Sequence, residues 1–269
     1  MSFGEPPNFP SAYGPEPMSS HIVASSQLET PSHPELEGQR VFLSGVGDGV
    51  GEMVAAAFAR QRTRLVLHSA QPAGRAAELA DSLKPQAGAV RLFAAEIGAD
   101  PAASERLARA ALGAFGGVDL SINLIGGQLP VAGAQTAREL DDLVARELRP
   151  ALTLSRAIAD HARNSGQAAA IIHVGLARSG QGAQFAHYGV LKSAIEGLTQ
   201  DQARRWVSHD ICVYAFVPGI DGEPFEEPFE ANNVVSARPN FESALCAMLL
   251  NAAGGRMRWL NGVTVAVPA

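Results

Sequence analysis

Cysteine is scarce in this chain. Cys212 and Cys246 are the two cysteines among 269 residues and have no C-x-x-C spacing. Neither a disulfide framework nor a cysteine-based metal site is therefore expected, and a reducing compartment suits them. Both read as small buried residues. Positive charge is short as well: the formal net charge is −6 and the isoelectric point about 5.6. That leaves no basic stripe for a phosphate backbone and excludes nucleic acid as an expected partner. No segment holds the roughly 18 uninterrupted apolar residues that cross a bilayer, and the N-terminus lacks a basic stretch followed by an apolar run. His161, His173, His187 and His209 share no ligand spacing, so no metal is expected. Together these absences point to a cytoplasmic protein with no membrane partner.

What is present suits one large core, since 46% of residues are hydrophobic and 18% charged. Residues 1–36 are rich in Pro and Ser without periodicity and read as a flexible arm, leaving 37–269 as one folded domain. In that domain short apolar runs alternate with helical spacing. "RVFLSG", "RLVLHS", "AVRLFAAEI", "VDLSINLIGG", "AAAIIHVG", "DICVYAFVPG" and "GVTVAVPA" read as strands. Among the intervening helices are a long one over 137–163 and another over 188–207. This alternation predicts an α/β fold, a doubly wound parallel sheet of about seven strands with helices on both faces.

The loop "SGVGDGVG", residues 44–51, follows the first strand and opens the first helix. Backbone N–H groups and the positive helix end meet there, so the loop suits a dinucleotide's phosphates, although a tight strand-to-helix turn also needs glycine for steric reasons.

From residue 37 to the C-terminus the chain resembles a short-chain dehydrogenase/reductase. The loop resembles the family's T-G-x-x-x-G-x-G, with Ser44 for the threonine and Gly45, Gly49 and Gly51 as the glycines. The segment ending "NLIG" resembles N-N-A-G and keeps Asn123 and Gly126, "YGVLK" is Y-x-x-x-K, and "VPG" resembles the proline and glycine after the sixth strand. The resemblance implies a Rossmann-type single domain, NAD(H) or NADP(H), and dimers or tetramers formed through the two long helices. Implied cofactor contacts are Ser44, Gly45, Gly49, Val50 and Gly51 at the loop, then Ser69, Glu96, Ile97, Asn123, Gly126, Tyr188, Lys192, Pro218 and Gly219.

Tyr188 and Lys192 stand four apart and so share a helix face. A free tyrosine titrates near about 10, and a neighbouring cation favours the phenolate. Tyr188 would give a proton to a carbonyl oxygen as hydride arrives, or remove one from an alcohol in reverse. The resemblance adds ribose binding by Lys192.

Three departures qualify the match. The family's catalytic serine falls on Gly175, or on Leu176 with a one-residue shift, and neither side chain can hydrogen-bond a substrate; Ser179, Gln181 and Gln184 lie nearby. Glu147 occupies the place of the family's asparagine, and Glu223 that of a threonine beside the nicotinamide. At the second strand's end Ser69 and Ala70 offer neither an acid nor an arginine to the ribose. Asp48 would repel a 2′-phosphate, whereas Arg64 and Arg75 would attract one, and the balance favours NAD(H). The acidic segment 220–240 with Phe225 and Phe229 reads as a lid that disfavours anions. The expectation is an oxidoreductase acting on a small uncharged carbonyl or alcohol. The alternatives are a non-redox isomerase, dehydratase or cyclase, or a weakly catalytic regulatory subunit.

Overall fold

The computed structural model describes residues 32–47, 49–70, 73–98, 100–126, 137–176, 183–219 and 241–267; the side chains of 73, 137, 139, 140 and 183–188 lie outside the described residues. The chain falls into two units, Met1–Thr30 and Pro31–Ala269, of which the second carries the sheet. The strands of this unit are β1 (Arg40–Ser44), β2 (Arg64–Ser69), β3 (Ala89–Ala94), β4 (Leu120–Ile125), β5 (Ala169–Gly175), β6 (Ile211–Pro218) and β7 (Thr264–Val267). They pair in parallel in the order β3-β2-β1-β4-β5-β6-β7. The helices are α1 (Val50–Arg60), α2 (Ala73–Leu83), α3 (Pro101–Phe115), α4 (Ala137–Leu143), α5 (Arg149–Ser165), α6 (Ala183–Trp206) and α7 (Phe241–Ala253). This is the doubly wound, single-domain sheet expected from the alternation.

Both faces of the strands are apolar because both are covered. Leu43, Leu65, Leu67 and Ile122 pack with Val54 and Phe58 of α1 and Leu245 and Leu249 of α7. Phe42 and Val66 face the other way, onto Leu107 of α3 and Leu154 and Ile158 of α5. Near the C-terminal strand ends, Ile125, Ala215 and Val217 meet Ala151 of α5 and Leu191 and Ile195 of α6. That third cluster fixes the helix carrying Tyr188 and Lys192 against the sheet.

Three boundaries differ from those read in the sequence, one of them the helix read over 188–207, which is α6 and runs Ala183–Trp206. The folded body begins before residue 37: Leu36 is fully buried, and the His33 N–H donates to Gln61 Oε1 at 2.8 Å. The long helix expected over 137–163 is interrupted by a π turn, Val144–Leu148, between α4 and α5. Pro150 has no N–H to give to the carbonyl four residues back. The ladder widens around it, and the Arg149 N–H reaches back five residues to Val144 O.

Candidate active site

One rung of the sheet is polar. Ser44 pairs in register with His68 on β2 and with Asn123 on β4, and Asn123 pairs with His173 on β5. None of the four is more than 5% exposed. The rung crosses the β1–β4 boundary, where the strand order reverses and open α/β sheets take ligands beyond their C-terminal strand ends. A cleft of about 250 Å³ lies there. The glycine loop, Glu96 to Gly98, and Arg146 and Glu147 of the π turn wall it, above Asn123, Leu124 and Ile125.

Gly45 anchors the loop in a conformation closed to other residues. Its φ is +81°, and a Cβ there would lie 2.8 Å from Leu124 O. The Val46 N–H donates to His68 O at 2.9 Å, and the Gly45 N–H donates to His68 Nδ1 at 3.3 Å. His68 Nε2 sits 2.9 Å from Ala95 O, which only accepts, so Nε2 carries the proton and the ring is neutral. Burial lowers the His68 pKa and holds that form. Gly49 caps α1 with nothing within 4 Å of its Cβ position. The next amides, Val50 and Gly51, head the helix without intrahelical acceptors and are donors for an anion.

The π turn aims a carboxylate at the opposite wall. Glu147 Oε2 accepts the Gly126 N–H at 2.7 Å, tying the end of β4 to the helix break. Gly98 lets the β3 loop come close to that turn, since a Cβ on it would lie 3.0 Å from Arg146 Cα.

Of the residues expected to hold a cofactor, Ser44, Gly45, Gly51, Glu96, Ile97 and Asn123 line this cleft. Gly49 and Val50 sit at the head of α1, and Gly126 closes the end of β4. Glu96 occupies the loop after β3, which ends at Ala94. Ser69 is 3% exposed and lines a separate narrow recess with Glu52 and Arg75, while Ala70 lines the cleft itself. Pro218 ends β6, and the Gly219 N–H donates to Val267 O at 2.7 Å. Lys192 is half-buried on α6, beside the sheet-facing Leu191 and Ile195. Position 188 lies in the same helix, with its side chain outside the described residues. Asp48, Ser179, Gln181, Glu223 and 220–240 also lie outside the described residues, as does the Gln184 side chain.

Arg64 proves to be at the wrong end for a 2′-phosphate. It begins β2, at the N-terminal strand ends and away from the cleft, and stacks 4.4 Å over the Phe115 ring. Arg75 pairs with Glu52 at 3.4 Å. Gly175 closes β5 in an aliphatic setting, where a Cβ would stand 3.1 Å from Val217 Cγ1 and 3.5 Å from Ile195 Cδ1. Leu176 comes next, donating its N–H to Ile125 O at 2.7 Å and lining the cleft. His68, Gly98 and Arg146 are cleft residues that the sequence motifs do not mark. Only His68 leaves a signal there, a histidine at the C-terminal end of an otherwise apolar strand.

The glycine cradle and the amides at the head of α1 suit a dinucleotide's pyrophosphate. Among the described residues no cluster of His, Cys, Asp or Glu could hold a metal ion, and no helix is long and apolar enough to cross a membrane.

Comparison with known proteins is consistent with this geometry. The model of the short chain dehydrogenase family matches residues 39–231. The chain is 32% identical over 185 residues to an L-rhamnose 1-dehydrogenase (NAD(P)(+)) of Azotobacter vinelandii, covering 66% of this chain and 72% of that one. It is 24% identical over 243 residues to the 2-dehydro-3-deoxy-D-gluconate 5-dehydrogenase of Escherichia coli, covering 86% and 94%. In fold it resembles an NADH-dependent reductase A1-R′ solved with NAD, at a TM-score of 0.70 and 22% identity over 87% of this chain and 97% of that one. A short-chain dehydrogenase/reductase from Serratia marcescens gives a TM-score of 0.69 at 24% identity, covering 87% and 98%.

Proposed function

The chain belongs to the short-chain dehydrogenase family, an NAD(P)-dependent oxidoreductase by that membership, and we propose that it interconverts a small uncharged carbonyl compound and its alcohol. The observation that carries this is the junction of the glycine loop, Asn123 and the head of α1 at one cleft, with α6, the helix of Lys192, packed on the cleft residues Ile125 and Ala151 through Leu191 and Ile195. The amides of Val50 and Gly51 would hold the pyrophosphate, Glu96 and Ile97 the adenine side, and Lys192 the nicotinamide ribose. The bound nicotinamide supplies or takes the hydride. Tyr188 moves the proton at the substrate oxygen, with the Lys192 cation favouring its phenolate.

NAD(H) is the proposed coenzyme. Arg64 is remote, Arg75 is paired with Glu52, and Ser69 and Ala70 bring no cation, so the end of β2, where the ribose would lie, offers a 2′-phosphate little. A homodimer or homotetramer is proposed as well, supported by the exposed apolar side chains of Val144, Leu152 and Val190 along the π turn, α5 and α6. The cytoplasm is the proposed location, in keeping with two thiols that are free and not bonded to each other.

The packing at Gly175 favours a second reading, a non-redox proton-transfer enzyme on the same scaffold. Without a hydroxyl there, a substrate carbonyl loses one positioned donor, a loss that costs on the order of 10²–10³ in rate in hydrolases.

Fluorescence titration with NADH and NADPH, on wild type and Lys192→Ala in parallel, tests the proposal. Tight binding of NADH weakened by the substitution is the expected result. Absence of binding to either coenzyme at millimolar concentration overturns it. Binding without consumption of reduced coenzyme across a panel of uncharged ketones and aldehydes favours the non-redox reading.

A further inference from the structure

The polar rung continues beyond the cleft into α6. Ser44 Oγ donates to Asn123 Oδ1 at 3.0 Å, and Asn123 Nδ2 donates to Ser155 Oγ of α5 at 3.1 Å. That same amide nitrogen lies 3.4 Å from His173 Nδ1, and His173 Nε2 lies 2.9 Å from Gln202 Oε1. A carboxamide oxygen only accepts, so His173 Nε2 carries the proton and Nδ1 presents a lone pair to the Asn123 amide. The chain of donors therefore has one direction, from Asn123 through His173 to Gln202. His173 is fully buried, and Ser155 and Gln202 are at most 1% exposed. Burial pushes the His173 pKa down to about 4, so the neutral ring this chain needs is the form present at ordinary pH. Gln202 Nε2 has no partner among the described residues. A buried amide half-satisfied in this way is costly to keep for packing alone.

We propose that His173 and Gln202 are positioning residues that lock the Asn123 carboxamide, and through it Ser44 at the base of the glycine loop, to the helix carrying Lys192. The proposal rests on the dinucleotide reading of the cleft. Gln202 fixes which nitrogen of His173 bears the proton. His173 in turn fixes which way the Asn123 amide points, and the amide oxygen holds the Ser44 hydroxyl. Removing either distal residue leaves Asn123 held by Ser44 and Ser155 without its tie to α6, and the floor of the coenzyme site loosens although neither residue reaches the cleft.

The test compares wild type, His173→Leu, Gln202→Leu, the double Leu variant and His173→Asn in NADH and NADPH titrations and in urea unfolding. Networked residues couple strongly, so each single Leu variant should raise the coenzyme Kd on the order of tenfold. The double variant removes both polar partners together, so its urea midpoint should recover toward wild type while its Kd stays raised. His173→Asn keeps an acceptor at the Nδ1 position and should restore most of the affinity. A purely structural role would make affinity follow the urea midpoint, and a double variant that binds coenzyme as wild type does overturns the proposal. Should the single variants fail to fold, the double variant and His173→Asn decide it. Failure of wild type to bind either coenzyme is seen before any variant is compared, and it sinks the dinucleotide reading together with this one.

Discussion

The Glu147 carboxylate accepts the backbone N–H of Gly126 at 2.7 Å, across the gap between the end of β4 and the π turn. Two elements separated in sequence thus share one wall of the cleft. Replacing Glu147 with Ala leaves the half-buried N–H without this acceptor and should cost about 1–3 kcal/mol, whereas Glu147→Gln keeps an acceptor and should cost less than about 1 kcal/mol. Urea denaturation measures both. Equal losses would show that the charge of Glu147, rather than its hydrogen bond to Gly126, is what matters.

At Gly175 the expected effect is a gain of rate. Gly175→Ser places a hydroxyl at the end of β5, and Val217 Cγ1 must yield by a few tenths of an ångström from 3.1 Å. The variant should lose about 1–2 kcal/mol of stability to overpacking and raise kcat with an uncharged ketone roughly tenfold, a part of what a positioned donor contributes. Steady-state kinetics with NADH checks it. An unchanged kcat in a folded variant would mean that substrate does not reach β5.

Acid should weaken the fold through buried histidine. The folded-state pKa of His173 is depressed to about 4 against about 6.5 unfolded, so its contribution is intact above 6.5 and is lost as pH falls toward 4. The sign is that of a group the unfolded chain protonates more readily. Up to about 3 kcal/mol should go over that window, with His68, lowered by its own burial, adding in the same direction. Urea midpoints between pH 7 and pH 4 should fall steeply for wild type and less steeply for His173→Asn. Parallel slopes would assign the loss to other groups.

Leu152, 48% exposed on α5, should be covered in an assembled form. Leu152→Glu places a charge in that contact, and size-exclusion chromatography with light scattering should show a shift to smaller species. A wild-type protein that already runs as a monomer would remove this role from α5.

Much of this architecture is legible in the sequence because it depends on local pattern. The seven apolar runs and the glycine loop at the head of α1 need no long-range information. The π turn is different. Pro150 announces a disturbance, yet how the helix absorbs it depends on Gly126, which is distant in sequence. His68 is not legible because its role needs the β1–β2 register, which sets its ring against the Gly45 amide. Ser69 is adjacent in sequence but opens onto another recess. Arg64 misleads for a related reason: it starts its strand, whereas the cleft lies where strands end.

The π turn also sets a phase. One residue of an α-helix corresponds to about 100° of rotation, so a single deletion within Val144–Leu148 would swing α4 around its axis relative to α5, even though Ala151, Leu154 and Ile158 kept their own seats in the core. If the lost residue is Leu148, Glu147 turns with α4 and points away from Gly126 while the core contacts of α5 survive. This stretch is therefore predicted to accept changes of side chain far more readily than changes of length.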